Sequence, residues 1–161
     1  MNKNPYAADL GDLDPITALA RTPQQIRRIV DGWTDEQFER TYAPGKWSAR
    51  KILVHLAQTE QALGTRVRYA LSADGYQAQS FDQDQWMNAD STADARTALD
   101  AYTSVRKMNM AMWRGLSDAQ RERPFTHPEF GSLSVAWVAA QMAGHDIHHL
   151  RHFEQIAHSN A

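Results

Sequence analysis

Gly144-His145-Asp146-Ile147-His148-His149-Leu150-Arg151-His152 places four of the chain's seven histidines within eight positions. How this stretch is read depends on helical phase. Four residues advance an α-helix by about 400°, so His145 and His149 project from one face about 6 Å apart along the axis. At the same spacing upstream stand Met142, Val138 and Val135, and downstream Phe153 and Ile156. The pair therefore lies in an apolar stripe, whereas a histidine tract that merely suits the dipole of a helix C-terminus would lie on a solvated face. An amphipathic helix from about Ser132 to Ala157 follows, announced by Pro128-Glu129-Phe130-Gly131.

Three more tracts share the 3.6-residue period. The first runs from about Asp14 to Gly32, with Ile16, Leu19, Ile26, Ile29 and Val30 apolar and Thr22-Pro23 read as an internal restart. The second runs from Ser48 to about Leu71; Ser48 is the expected N-cap and Trp47 the apolar residue that packs back on the first turn. The third runs from about Thr92 to Gly115 with Leu99, Tyr102, Val105, Met108, Met112 and Leu116 as its core stripe. No β-branched alternation is long enough to suggest a sheet. The expectation is an all-α four-helix bundle in one domain of residues 1–161.

His55 sits on the buried side of the second helix with Ile52, Leu56, Leu63 and Val67. It lies about 10 Å from the start of that helix, and the midpoint of His145 and His149 lies about 15 Å from the end of the fourth. Antiparallel packing of the two helices puts all three imidazoles at nearly one height; parallel packing separates them by about 12 Å. The polar stretch from Ser72 to Ser91 is long enough, at about 3.3 Å per residue, to return along the whole bundle. An up-down-down-up topology with a long crossover between helices 2 and 3 satisfies both conditions. Three imidazoles inside a core each need a partner, because an unsatisfied buried polar group costs roughly 1–3 kcal/mol. One metal ion partners all three, with a coordination position left open.

Composition narrows the function. The chain has no cysteine, which excludes disulfides, thiolate metal sites and a thiol nucleophile of its own. The net charge of −2 and a pI near 6.4 leave no electrostatic footprint for nucleic acid or an anionic membrane. Trp86, Trp113 and Trp137 read as core, interface or pocket-wall residues rather than base-stacking platforms. No apolar leader or membrane span is visible, so the expected location is cytoplasmic.

Pro44-Gly45-Lys46-Trp47-Ser48-Ala49-Arg50-Lys51-Ile52-Leu53-Val54-His55-Leu56, followed far downstream by His145-Asp146-Ile147-His148-His149, resembles the DinB/YfiT-like superfamily of metal-binding bundles. The resemblance spans essentially the whole chain. It implies an up-down-down-up bundle, often dimeric, with the metal ligands on His55, His145 and His149. It also implies zinc or nickel, or alternatively iron or manganese. Relatives commonly carry glutamine three residues after the last ligand; here His152 stands there, readable as a fourth ligand, a proton shuttle or a surface residue. His148, about 100° round the helix from His149, is expected beside the site or at an interface, and His127 at the site mouth or in solvent.

The expected activity is divalent-metal-dependent: activation of a low-molecular-weight thiol for transfer, or of water for hydrolysis. The alternative is a non-catalytic metal or small-ligand binding bundle. A homodimer is expected from a second apolar line on the fourth helix, Trp137, Ala140, Ala143, Ile147 and Leu150.

Overall fold

Side-chain caps set the starts of three long helices. Asp14, Ser48 and Asp94 accept hydrogen bonds from the backbone N–H of Thr17, Lys51 and Thr97. In the computed structural model, which describes residues 3–159, the order is α1 (Ala7–Leu10), α2 (Pro15–Ile29), α3 (Asp35–Phe38), α4 (Ala49–Ser72) and α5 (Gln83–Ala89). Then come α6 (Ala95–Gly115), α7 (Asp118–Arg121), β1 (Pro124–His127), β2 (Gly131–Ser134) and α8 (Val135–Ser159). The domain expected over residues 1–161 thus has residues 1–2 and 160–161 outside the described part. Among the described residues no helix is long and apolar enough to cross a membrane.

The bundle is formed by α2, α4, α6 and α8, and side-chain contacts fix their directions. Along α4, Arg50 donates to the carbonyls of Ser91 and Ala93, Glu60 pairs with Arg106, and Arg68 donates to Asn109. Partner numbers rise together, so α4 and α6 are parallel. Arg106 reaches Leu19 while Arg27 reaches Asp100, so α2 runs against α6. His55 meets His145 and His149 while Leu63 shares a cavity with Gln141, so α8 runs against α4. The topology is up-down-down-up. The crossover returns along α4, held where Gln58 Nε2 donates to the Trp86 carbonyl and to Asp90.

Two apolar cores occupy the two ends. One gathers Ile26, Ile52, Leu56, Leu99, Phe153 and Ile156; the other gathers Leu19, Leu63, Val67, Trp113, Val138 and Met142. Between them falls a buried polar layer: His55 and Glu60 on α4, Arg106 and Asn109 on α6, and His145, Asp146 and His149 on α8. α2 adds Thr22, which bonds its own helix, and a backbone carbonyl. Pro23 has no N–H to give the carbonyl of Leu19, and Arg106 Nη1 donates to that oxygen at 2.8 Å. The helix therefore runs unbroken through Thr22-Pro23, which is not a restart.

Several expectations about local structure are corrected. Ser132–Ser134 are strand, not helix: Gly131–Ser134 pairs antiparallel with Pro124–His127, and the fourth helix begins at Val135. The polar crossover contains α5, and α6 begins at Ala95 rather than Thr92. Met108 is 61% exposed, while Arg106, Asn109, Met110 and Trp113 face inward. An apolar count along α6 missed this face because two of its residues are polar and find their partners on other helices.

The small-residue side of α8 is partly used within the chain. A Cβ on Gly144 would meet the Tyr6 carbonyl oxygen and, at 2.8 Å, the Tyr6 Cβ, so glycine is what lets the segment before α1 lie against α8. Asp9 pairs there with Arg151 and, at 3.5 Å, with His148. Ala143 and Leu150 are buried, and Trp137 packs on Phe130 with ring centroids 5.3 Å apart.

Candidate metal centre

α4 delivers His55 and α8 delivers His145 and His149, and all three rings are at least nine-tenths buried. The Nε2 atoms of His55 and His145 are 2.8 Å apart, and those of His149 and His145 are 3.1 Å apart. One ligand atom from each of the three falls within 4.8 Å of the others, with no acid or further histidine in the group among the described residues. Tetrahedral coordination with metal–nitrogen bonds of about 2.0–2.1 Å spaces its ligands roughly 3.3 Å apart, close to this geometry. Trp47 packs on His55 with ring centroids 5.0 Å apart and helps fix its orientation.

The donor set fits a divalent ion. Each neutral imidazole carries one N–H, and Nδ1 of both His55 and His145 is buried with no hydrogen-bond partner. With those hydrogens on Nδ1, the three Nε2 lone pairs face one another at 2.8 and 3.1 Å, an arrangement that one cation would relieve. Burial holds the rings in the form a metal needs. It lowers the pKa of His55 to about 4. It pushes His145 and His149 well below the ordinary value, with neighbouring imidazoles adding to the effect.

His152 lies behind the site. Its ring stacks on Tyr42 with centroids 3.8 Å apart, and its Nδ1 lies 3.3 Å from Nδ1 of His149. It faces the far side of the His149 ring from the converging Nε2 atoms, placed to accept the Nδ1–H that His149 carries when Nε2 ligates. Burial, then the neighbouring His148, lowers its pKa to about 4. His148 is turned toward Asp9 and Tyr6.

A cavity of about 220 Å³ opens beside His55 and His145. His127 lines it and is buried, not solvent-exposed. The backbone N–H of Glu129 donates to His127 Nδ1 at 3.2 Å, so the neutral ring carries its hydrogen on Nε2. Gln141 and Arg66 also line this space, and Gln141 Oε1 is buried without a partner. Sequence reading missed both. Arg66 was within reach of it: eleven residues past His55 is about three turns and 20° of rotation, hence the same face.

The polar layer continues behind the site. Arg106 Nη2 contacts Glu60 Oε1 at 2.5 Å and Asp146 Oδ2 at 2.8 Å, and the Tyr102 hydroxyl donates to the same Asp146 oxygen at 2.8 Å. Asn109 donates to Glu60 Oε2 at 2.9 Å. Burial opposes the Arg106 charge, but Asp146, Tyr102 and Glu60 outweigh it and raise its pKa well above the ordinary value. Burial raises the Asp146 pKa even though Arg106 opposes the shift. Asp146 thus serves the core, although it adjoins His145 in sequence.

Comparison with known proteins agrees with this arrangement. A family profile described as the DinB superfamily matches residues 18–153. The chain belongs to the DinB superfamily. Among its DinB-type relatives is a protein of Oceanobacillus iheyensis, 29% identical over 137 residues that cover 84% of this chain and 79% of the relative. Another is YfiT of Bacillus subtilis, 25% identical over 145 residues, covering 88% of this chain and 82% of the relative. Both are assigned provisionally as metal-dependent hydrolases. The solved structure of YfiT, described as having an unusual four-helix bundle topology, superposes with a TM-score of 0.83 over 91% of this chain and 85% of its own. The mycothiol-dependent maleylpyruvate isomerase shares the fold, with a TM-score of 0.69 at 13% identity over 86% of this chain and 59% of its own.

Proposed function

We propose that the protein is a divalent-metal-dependent enzyme that activates a low-molecular-weight thiol for transfer, with hydrolysis by water as the other use of the same site. The convergence of three buried Nε2 atoms beside a cavity of about 220 Å³ carries this reading. His55, His145 and His149 would hold an ion such as zinc or nickel (iron or manganese being the alternatives), which would supply Lewis acidity that lowers the pKa of a thiol or of water. The provisional assignment of the relatives supports metal-dependent chemistry.

The chain's own residues bind and orient. With no cysteine present, any thiol arrives with the substrate. His127 offers a hydrogen-bond donor at Nε2, and Gln141 an unpaired acceptor. Leu63, Phe81 and Phe130 wall the cavity and limit water, so each of those polar contacts counts for more than in bulk solvent. The test is turnover by metal-loaded protein on thiol–electrophile pairs and on ester substrates, against chelated protein and free metal. Saturable turnover above both controls is expected. If neither panel turns over, the enzymatic reading falls and the non-catalytic binding bundle takes its place.

A cytoplasmic homodimer completes the reading. Trp137, Ala140 and Ile147 on α8 stay half-buried after the chain's own packing, leaving apolar surface for a second copy. Sedimentation at micromolar concentration should give twice the 18.2 kDa chain mass; a mass of 18.2 kDa overturns the dimer. Cell fractionation that recovers the protein outside the cytoplasm overturns the location.

A further inference from the structure

Arg66 is a buried cation, 7% exposed, and among the described residues no carboxylate lies within ion-pair distance of it. Its Nη2 donates to the carbonyl of Gln79 at 2.8 Å, which ties the crossover to α4 and leaves the other guanidinium N–H groups without a protein acceptor. Burial lowers the Arg66 pKa, opposed by Tyr76 and then by Glu129, which lines the same cavity but is exposed and accepts a hydrogen bond from Ser80 at 2.8 Å. None of the Arg66 nitrogens is a buried orphan, so the N–H groups without a protein acceptor open onto the cavities, where partial burial makes a bond to an anion count for more than in bulk solvent.

Two hollows meet at this residue. Arg66 and Phe81 line both the cavity of about 220 Å³ beside His55 and His145 and a wider cleft of about 600 Å³ under the crossover. Arg66 lies on the His55 face of α4 with its Cα about 16 Å farther along, and helical side chains lean toward the N-terminus, so the guanidinium approaches to roughly 10 Å. We propose that Arg66 recognises an anionic group, a carboxylate, phosphate or sulfate, on the substrate of the three-histidine site, about 10 Å from the atom that reacts. The wider cleft, rimmed by Tyr69, Tyr76 and Trp86, holds the remainder of that substrate. The identity of the reacting atom rests on the metal reading; the anion site does not.

The probes are 6-mercaptohexanoate and 6-mercapto-1-hexanol, which match in length and differ in charge. Calorimetric titration of metal-loaded wild-type protein should favour the acid by about 10- to 100-fold. Arg66→Gln should abolish that preference, and Arg66→Lys, which keeps the charge without the planar fork, should retain part of it. Unchanged helicity by circular dichroism separates lost recognition from lost folding. The same comparison on chelated protein isolates Arg66 from the ion. If metal loading tightens neither thiol, the metal reading fails, while an acid preference that still disappears in Arg66→Gln upholds the anion site. No measurable preference for the acid in either form of the wild-type protein, or a preference surviving in Arg66→Gln, overturns it.

Discussion

Each of His55→Ala, His145→Ala and His149→Ala should reduce bound zinc or nickel from one equivalent to a small fraction after dialysis. The physical reason is the size of the donor set. The three nitrogens that would hold the ion have, among the described residues, no acid or further histidine in their group, so each substitution would leave two ligands. The expected loss of affinity exceeds the roughly 10- to 100-fold that removing a hydrogen-bond partner behind a ligand costs. His152→Ala sets that internal scale, since His152 Nδ1 lies 3.3 Å from the far nitrogen of His149, where it can accept the hydrogen that a ligating ring carries. His148→Ala, whose ring turns to Asp9 and Tyr6, should cost much less. Metal analysis after equilibrium dialysis decides the matter: a full equivalent in all three single variants would exclude these ligands. The helices should survive loss of the ion, because neither apolar core includes the three histidines.

Arg106→Met should destabilise the protein by about 3–5 kcal/mol, the range for removing one partner from a buried ion pair. Three groups lose a donor together: the carboxylates of Glu60 and Asp146 and the carbonyl of Leu19, which Pro23 cannot serve. Asp146 already has its pKa raised by burial and would take up a proton more readily without the guanidinium. The Glu60 carboxylate would keep one bond, from Asn109 Nδ2. In a chain of this size the loss corresponds to a fall in melting temperature of roughly 10 °C. Combining Arg106→Met with Glu60→Gln and Asp146→Asn should recover part of the loss, since what destabilises is the unpaired charge rather than the absence of the pair. A urea-unfolding loss below about 1 kcal/mol for Arg106→Met would show that water or rearrangement compensates these groups.

The four amphipathic tracts, the Ser48 cap, the His145–His149 pair and the place of His55 on the buried face of its helix were legible in the sequence. Each depends on phase within one helix, and phase is a local property. The up-down-down-up order agreed with chain arithmetic, because bringing three imidazoles to one height requires helices 2 and 4 to be antiparallel and the crossover is long enough for helix 3 to run parallel to helix 2. What the tertiary structure alone decided was which polar residues face one another. Arg106 and Asn109 broke the apolar stripe of α6, so the sequence turned Met108 inward and these two outward. Only the positions of Glu60, Asp146 and the carbonyl freed by Pro23 make the opposite rotation favourable. His127, Gln141 and Arg66 come from β1, α8 and α4 to line one cavity beside the three histidines; helical spacing puts Gln141 on the His145 face and Arg66 on the His55 face, but nothing local brings His127 to them. A buried polar group is stabilised by its partner, and when that partner lies on another element no window along a single helix contains both.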